Sequence, residues 1–314
     1  MFFKVFNKKK ILLFFLINLI IVFFLISFYF IRKIYLLKSK DESILTFSSS
    51  VSNDGKSFLI DLNGDNKKDI VYITSSSENQ YIISCNINNK NYSLDVKSPL
   101  NTLGVSNEIW PISINFLDLS RNKIPEIIIQ SSENNVPINH IFKWNGDHFK
   151  DVYCSTNSFL GVLDSNNNKT PKIISFSLDN TENNIEKYML INNNLKNISY
   201  EKIYLESYSI IQNFINIITL PYNLYDLPDV FSSNVSSKAI HDIDIINKDN
   251  FYYVFQDAFF RDSKWDTKGN ITEMNWHLRF RKSSKSNKDE NSLLQWNLTL
   301  KKDNNNKFII DKIE

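Results

Sequence analysis

Ile60-Asp61-Leu62-Asn63-Gly64-Asp65-Asn66-Lys67-Lys68-Asp69-Ile70-Val71-Tyr72-Ile73 is the stretch on which the reading of the whole chain turns. Asp61, Asn63, Asp65 and Asp69 place oxygen at positions 1, 3, 5 and 9 of one tight loop. Gly64 lets the backbone fold back at positive φ. The β-branched run 70–73 leaves the loop immediately, so the exit is a strand. Hard cations such as calcium take roughly six to eight oxygens, and alternate carboxylates around a turn deliver several of them. The loop is not an EF-hand, because Asn66 and Tyr72 stand where that motif needs Gly and Glu. A turn that holds itself together with Asp and Asn side chains, without metal, is the other reading.

Two weaker copies follow. Asp118, Ser120, Asn122 and Glu126 take the same positions in the second, ahead of Ile127-Ile128-Ile129. Asp164, Asn166 and Asn168 begin the third, where Lys172 replaces the last carboxylate. Downstream of each loop an apolar run ends in Asn88-Asn89, Asn145-Gly146 or Asn192-Asn193, and Asn-Gly between β-like runs signals a hairpin. Each unit thus reads strand, acidic loop, strand, variable loop, strand, Asn-rich turn, strand, which is the layout of a propeller blade. The ligand series confines calcium to the first copy, as one ion on Asp61, Asn63, Asp65 and Asp69, since an ammonium at Lys172 opposes a cation.

The pattern resembles the FG-GAP or VCBS repeat family, whose blades carry a D-x-[DN]-G-D-x-x-x-D calcium loop. The resemblance covers roughly residues 50 to 198, and its strong motif is Asp61 to Asp69. It implies β-propeller-like blades. Three units fall short of the about four to eight that close a ring, so a partial or open propeller is expected.

Residues 11–31 read ILLFFLINLIIVFFLISFYFI, long enough to span a hydrocarbon core of about 30 Å as a helix. Arg32 and Lys33 follow it in place of a small-residue cleavage site, and no cysteine stands near its end, so an uncleaved signal anchor is expected. Lys4, Lys8, Lys9 and Lys10 precede the span while Arg32, Lys33, Lys38 and Lys40 follow, so charge leaves the orientation almost tied. The short leading tail and the calcium loop favour a cytoplasmic N-terminus with the bulk outside the cell. The expected organisation is a tail at 1–10, the span at 11–31, a stalk at 32–50, the β-repeat domain at 51–198 and an α+β domain at 199–314.

In that last region apolar residues from Ile203 to Ile218 recur at helical spacing, and Pro221 stops the helix. Strands are expected at about 239–246, 251–261, 271–282, 292–302 and 307–313. One long helix on a curved antiparallel sheet looks, by element order alone, like the NTF2-like or cystatin-like class. That class makes a small-molecule isomerase or dehydratase the alternative function, with His241, Asp242, Asp257 and His277 as candidates. Asp257, between Phe255 and Phe259, is the best of them, against a plainer reading as an Asp at a strand bulge. Trp265, Trp276 and Trp296 are read as core packing rather than pocket lining. The basic cluster Arg279, Arg281, Lys282, Lys285 and Lys288 is read as a solvated hairpin tip, with anionic wall polymer or lipid headgroups as the alternative.

A net charge of +2 gives no reason to expect nucleic acid as a partner. Cys85 and Cys154 match no disulfide framework or metal spacing. There is no G-x-S-x-G, Walker, Rossmann, H-E-x-x-H or C-x-x-C signature. The expectation is a mainly β, membrane-anchored binding or scaffolding protein of the bacterial envelope, whose partner is an extracellular or envelope protein or polysaccharide.

Overall fold

The computed structural model describes residues 18, 22–24, 26–27, 57–97, 99–164, 170–178, 185–200, 205–287 and 289–314. The chain divides into two units, Met1–Thr46 and Phe47–Glu314. In the first, Asn18, Val22, Phe23, Phe24, Ile26 and Ser27 are helical. Most of the expected span 11–31, and all of the tail and stalk, lie outside the described residues. Among the described residues no helix is long and apolar enough to cross a membrane.

The second unit is mainly β. Strands β1 (Ser57–Ile60), β2 (Asp69–Ser75), β3 (Tyr81–Ile87) and β4 (Lys90–Ser93) form a four-stranded antiparallel sheet in chain order. A second sheet of the same layout holds β5 (Ser113–Leu117), β6 (Glu126–Glu133), β7 (Val136–Trp144) and β8 (Phe149–Ser155). The third unit, β9 (Phe159–Leu163), β10 (Lys172–Phe176), β11 (Glu186–Ile191) and β12 (Asn194–Asn197), repeats the order again. Its first strand also pairs with the C-terminal part of the chain, so it is half of a larger sheet.

Asparagine pairs build these hairpins. Asn88-Asn89, Asn134-Asn135 and Asn192-Asn193 all sit at φ between 50° and 63°. Two successive left-handed residues make the turn whose twist matches the flanking strands, and Asn tolerates that region better than other side chains. The Asn145-Gly146 turn works differently: Gly146 alone takes positive φ, and Asn145 N–H donates to the His148 carbonyl.

Downstream come helix α1 (Tyr208–Thr219), helix α2 (Ser237–Asp244) and a meander of β13 (Phe251–Trp265), β14 (Ile271–Ser284), β15 (Asn291–Lys302) and β16 (Phe308–Ile313). The meander follows the expected strand positions closely. The strand expected at 239–246 is instead α2. Ser236 Oγ accepts from Ala239 N–H and caps it, and Ile240, Ile243 and Ile246 recur at the spacing of a helix face. The alternation of Ile243 and Ile245 imitated a strand because the helix is short. The expected start of α1 at 203–204 lies outside the described residues.

β9 pairs in parallel with β13, from Phe159 opposite Ala258 to Val162 opposite Arg261. The result is one eight-stranded sheet, β12-β11-β10-β9-β13-β14-β15-β16. Gly161 makes the join possible: a Cβ there would stand 2.4 Å from the Phe260 ring, which stacks on Trp276 with centroids 4.2 Å apart. The hydrophobic cores follow the same division. Phe58, Ile83, Ile114, Phe116, Ile129 and Phe142 belong to a core shared by the first two sheets. Phe159, Ile174 and Phe176 instead share a core with α1, Phe260, Trp276 and Ile310. The expected domain boundary at 198/199 therefore runs through one sheet and one core.

Candidate functional site

The first acidic loop is closed by hydrogen bonds to its own backbone. Asp61 Oδ1 accepts from Gly64 N–H at 2.7 Å and Oδ2 from Asn66 N–H at 2.8 Å. Asp65 Oδ1 accepts from Lys67 N–H, and its Oδ2 from the amides of Asn63 and Asn88. Asn63 Oδ1 accepts from Asp65 N–H. The buried Asp69 reaches back across the loop, its Oδ2 taking Leu62 N–H at 2.8 Å.

Two carboxylates of the set, Asp65 and Asp69, are shifted in opposite senses. The backbone N–H of Lys67, then the amides of Asn63 and Asn88, hold the Asp65 carboxyl below its ordinary range. Burial pushes Asp69 above it, the charges of Asp65 and Asp61 add to that push, and the Leu62 N–H partly offsets it. Asp61 Oδ1 and Asp65 Oδ2 each accept two hydrogen bonds, whereas Asp61 Oδ2, Asp65 Oδ1 and Asp69 Oδ2 accept one apiece, so the loop has a self-sufficient closure and acceptors to spare on those three oxygens. Among the described residues, no group of three or more His, Cys, Asp or Glu side chains stands together as a ready metal cage.

The second loop repeats the closure: Asp118 accepts from Asn122 and Lys123 N–H, and Glu126 Oε2 accepts from Leu119 N–H at 2.7 Å. Of the third, Asn166 and Asn168 lie outside the described residues. Asp164 N–H there donates to Asp262 Oδ2 at 2.6 Å, so β13 supplies a carboxylate to the loop whose own last position is Lys172.

The residues singled out in the C-terminal region are not gathered into one site. His241 and Asp242 are exposed on α2. His277 is half-buried and bonds Asn297 Oδ1 across β14 and β15, with burial first and Arg279 second lowering its affinity for a proton. Trp276 lies in the core, Trp296 packs at its edge, and Trp265 Nε1 donates to Asp262.

Asp257 sits at a β-bulge, 1% exposed, opposite Arg279. Arg279 Nε donates to Asp257 Oδ1 at 2.6 Å, its Nη2 to Oδ2, and Trp110 Nε1 adds a third bond at 2.9 Å. Arg279 Nη1 donates to the Pro111 carbonyl. The pair thereby pins the segment ahead of β5 onto β13 and β14. Arg279, read from the sequence as part of a solvated hairpin tip, is an interior ion-pair partner, because its neighbours Leu278 and Phe280 carry β14 through the core. Lys282 Nζ lies over the Phe251 ring, and Lys288 is outside the described residues.

Beside this pair a cleft opens, about 270 Å³ in volume, with Trp110, Asn135, Gln256 and Arg281 in its wall. Sequence patterning had no signal for it, since its residues come from segments more than a hundred positions apart. No family model matches the chain, and no curated protein matches it either.

Proposed function

We propose that this chain is a membrane-anchored, extracytoplasmic binding or scaffolding protein of the bacterial envelope, built from propeller-blade-like units and an NTF2-like or cystatin-like helix-on-sheet region. The observation that carries the binding reading is the engagement of Asp257. A general acid or base needs a proton it can exchange with a substrate, whereas both oxygens of this carboxylate are held by Arg279 and Trp110 in the interior. The cleft beside it offers amides, a guanidinium and an indole, groups suited to holding a ligand. The apolar run 11–31 supports the anchor.

The first acidic loop takes one calcium ion in this reading, on Asp61, Asn63, Asp65 and Asp69. The mutual repulsion of Asp61, Asp65 and Asp69 supports it, because a cation among them removes a cost the metal-free loop carries. Its role is to stiffen the β1–β2 turn, with no part in chemistry. Two measurements test the proposal. The full chain should sediment with membranes, resist alkaline carbonate extraction and be cut by protease added outside the cell. Calorimetric titration should give heat at millimolar calcium, the range of extracellular modules. Release by carbonate removes the anchor, and an absence of both heat and thermal shift removes the metal.

A further inference from the structure

The cleft has a neighbour. A second chamber of about 210 Å³ shares Trp110, Asn135, Gln256 and Arg281 with the first, so these four residues line both. Arg281 Nη1 donates to Asn135 Oδ1 at 2.8 Å, a bridge between two residues that line both chambers. Two atoms of this shared lining are buried without a hydrogen-bond partner, Arg281 Nε and Gln256 Oε1. Gln256 is only 6% exposed, and its Nε2 is already committed to the Ile109 carbonyl, which fixes the amide's orientation and leaves Oε1 as the spare acceptor. Native proteins rarely leave buried donors and acceptors unpaired without a reason.

The same strand shows what the free edge of Arg281 can do. Arg279, two residues earlier on β14, grips the Asp257 carboxylate through Nε and Nη2. Arg281 has its Nη1 occupied and this Nε–Nη2 edge unused. A planar guanidinium edge matches a carboxylate with two parallel hydrogen bonds. The bulge at Gln256 explains why the acceptor is nearby: Val254 pairs with Arg281 and Asp257 with Arg279, and the extra residue between carries its side chain to the same wall.

We propose that this cleft binds a free α-carboxylate next to an amide N–H, the end of a peptide. The carboxylate bonds the Nε–Nη2 edge of Arg281, the ligand's N–H donates to Gln256 Oε1, and an apolar side chain packs against Pro137, Val254 and Phe255. Displacement of Asn135 from Arg281 joins the two chambers around the ligand. Arg279 is neutralised by Asp257, so Arg281 alone supplies one positive charge, enough to pair a monoanion and not a phosphate dianion. One spare donor edge and one spare acceptor also suit this group better than a sugar acid with hydroxyls on every side. The proposal rests on the reading of the chain as a binding protein and is independent of its anchor and its calcium.

The test uses the full chain purified in detergent and titrated calorimetrically with N-acetyl-L-leucine, the tripeptide Ala-Ala-Leu, N-acetyl-L-leucinamide and inorganic phosphate. Either acid should bind, the tripeptide pointing to peptide ends and N-acetylleucine alone to a small acylated amino acid. The amide should bind about tenfold more weakly or worse, and so should Arg281→Lys, which keeps the charge and loses the fork. Asn135→Gly removes the bridge and keeps the left-handed turn position, φ 61°, that glycine accepts, so it should bind as tightly as the parent or tighter and keeps the test informative if Arg281 variants fail to fold. Lack of binding by both acids, equal binding of acid and amide, preference for phosphate, or weaker binding by Asn135→Gly would each overturn the proposal. A chain that stays in the membrane fraction and binds neither acid loses this inference alone, whereas one that binds but is released by carbonate loses only its anchor.

Discussion

Loops 61–69 and 118–126 share a hydrogen-bond plan and differ in where their positive charge comes from. In both, the first Asp caps backbone N–H groups of the loop, and the ninth residue reaches back to the N–H of the second. Strand register then separates them. Ile127 pairs with Phe142, which sets Lys143 across from Glu126, and Ile70 pairs with Asn86, which sets Ile87 across from Asp69. Lys143 Nζ donates to Glu126 Oε1 and to Ser120 Oγ, both at 3.0 Å. The second loop thus carries its own ammonium, while the first faces an isoleucine and leaves Asp69 to the repulsion of its neighbours. The repeat preserved a way of closing a turn, and the charge balance diverged one strand away from it.

Breaking the internal ion pair should have the largest effect. Lys143→Met strands the fully buried Glu126 charge and should cost about 3–5 kcal/mol in denaturant unfolding. Adding Glu126→Gln should recover most of that loss. A cost for the single variant near that of a surface pair would mean that Lys143 is not the cation the loop depends on. Gly64→Ala comes next, at about 1–2 kcal/mol, because Gly64 sits at φ 80° and a Cβ would lie 3.0 Å from Ile124 of the second loop. An unchanged unfolding midpoint would show that the two loops do not press on one another there.

Asp69→Asn sharpens the contrast at smaller scale. Without calcium the variant should match the parent or exceed its stability by up to about 1 kcal/mol, since it keeps an acceptor for Leu62 N–H and sheds a buried charge. Any calcium-induced rise in melting temperature should vanish. The pH dependence has a definite sign. Asp69 is raised above its ordinary value of 3.8, so its penalty is present above the folded-state pKa and fades as pH falls through it toward 3.8. Calcium needs the ionised form, so its thermal shift should shrink over that same acid range, and a shift that grew on acidification would contradict the assignment.

Thiol labelling gives the smallest readout. Burial, then the Asp69 charge, pushes the Cys85 thiol up to about 12, and the half-buried Cys154 is raised as well. In native protein at neutral pH, iodoacetamide should modify Cys154 first and reach Cys85 only on unfolding. Equal rates would show that the first sheet opens as readily as the second.

Local chemistry made part of this legible in advance. Alternating oxygens around Gly64, Asn-rich turns, and β-branched runs at regular spacing all act within a few residues, so the chain order alone located the two described loops, the turns at Asn88-Asn89, Asn145-Gly146 and Asn192-Asn193 and the C-terminal meander, but not the hairpin at Asn134-Asn135. Helix α2 escaped because an eight-residue helix leaves too few repeats to tell its period from that of a strand, and its deciding signal was one cap at Ser236. The role of Asp257 escaped for another reason. An acid between two phenylalanines says that a charge is to be buried, and its partner stands 22 positions away.

What the sequence determined by itself was the set of turns and strands, because backbone conformation responds to side chains nearby in the chain. Tertiary structure decided which edges met. It joined β9 to β13 through the room that Gly161 leaves for Phe260, set Lys143 against Glu126, and brought Gln256 and Arg281 into one wall. Those outcomes depend on register and packing between distant segments, where a shift of one residue turns every side chain to the opposite face.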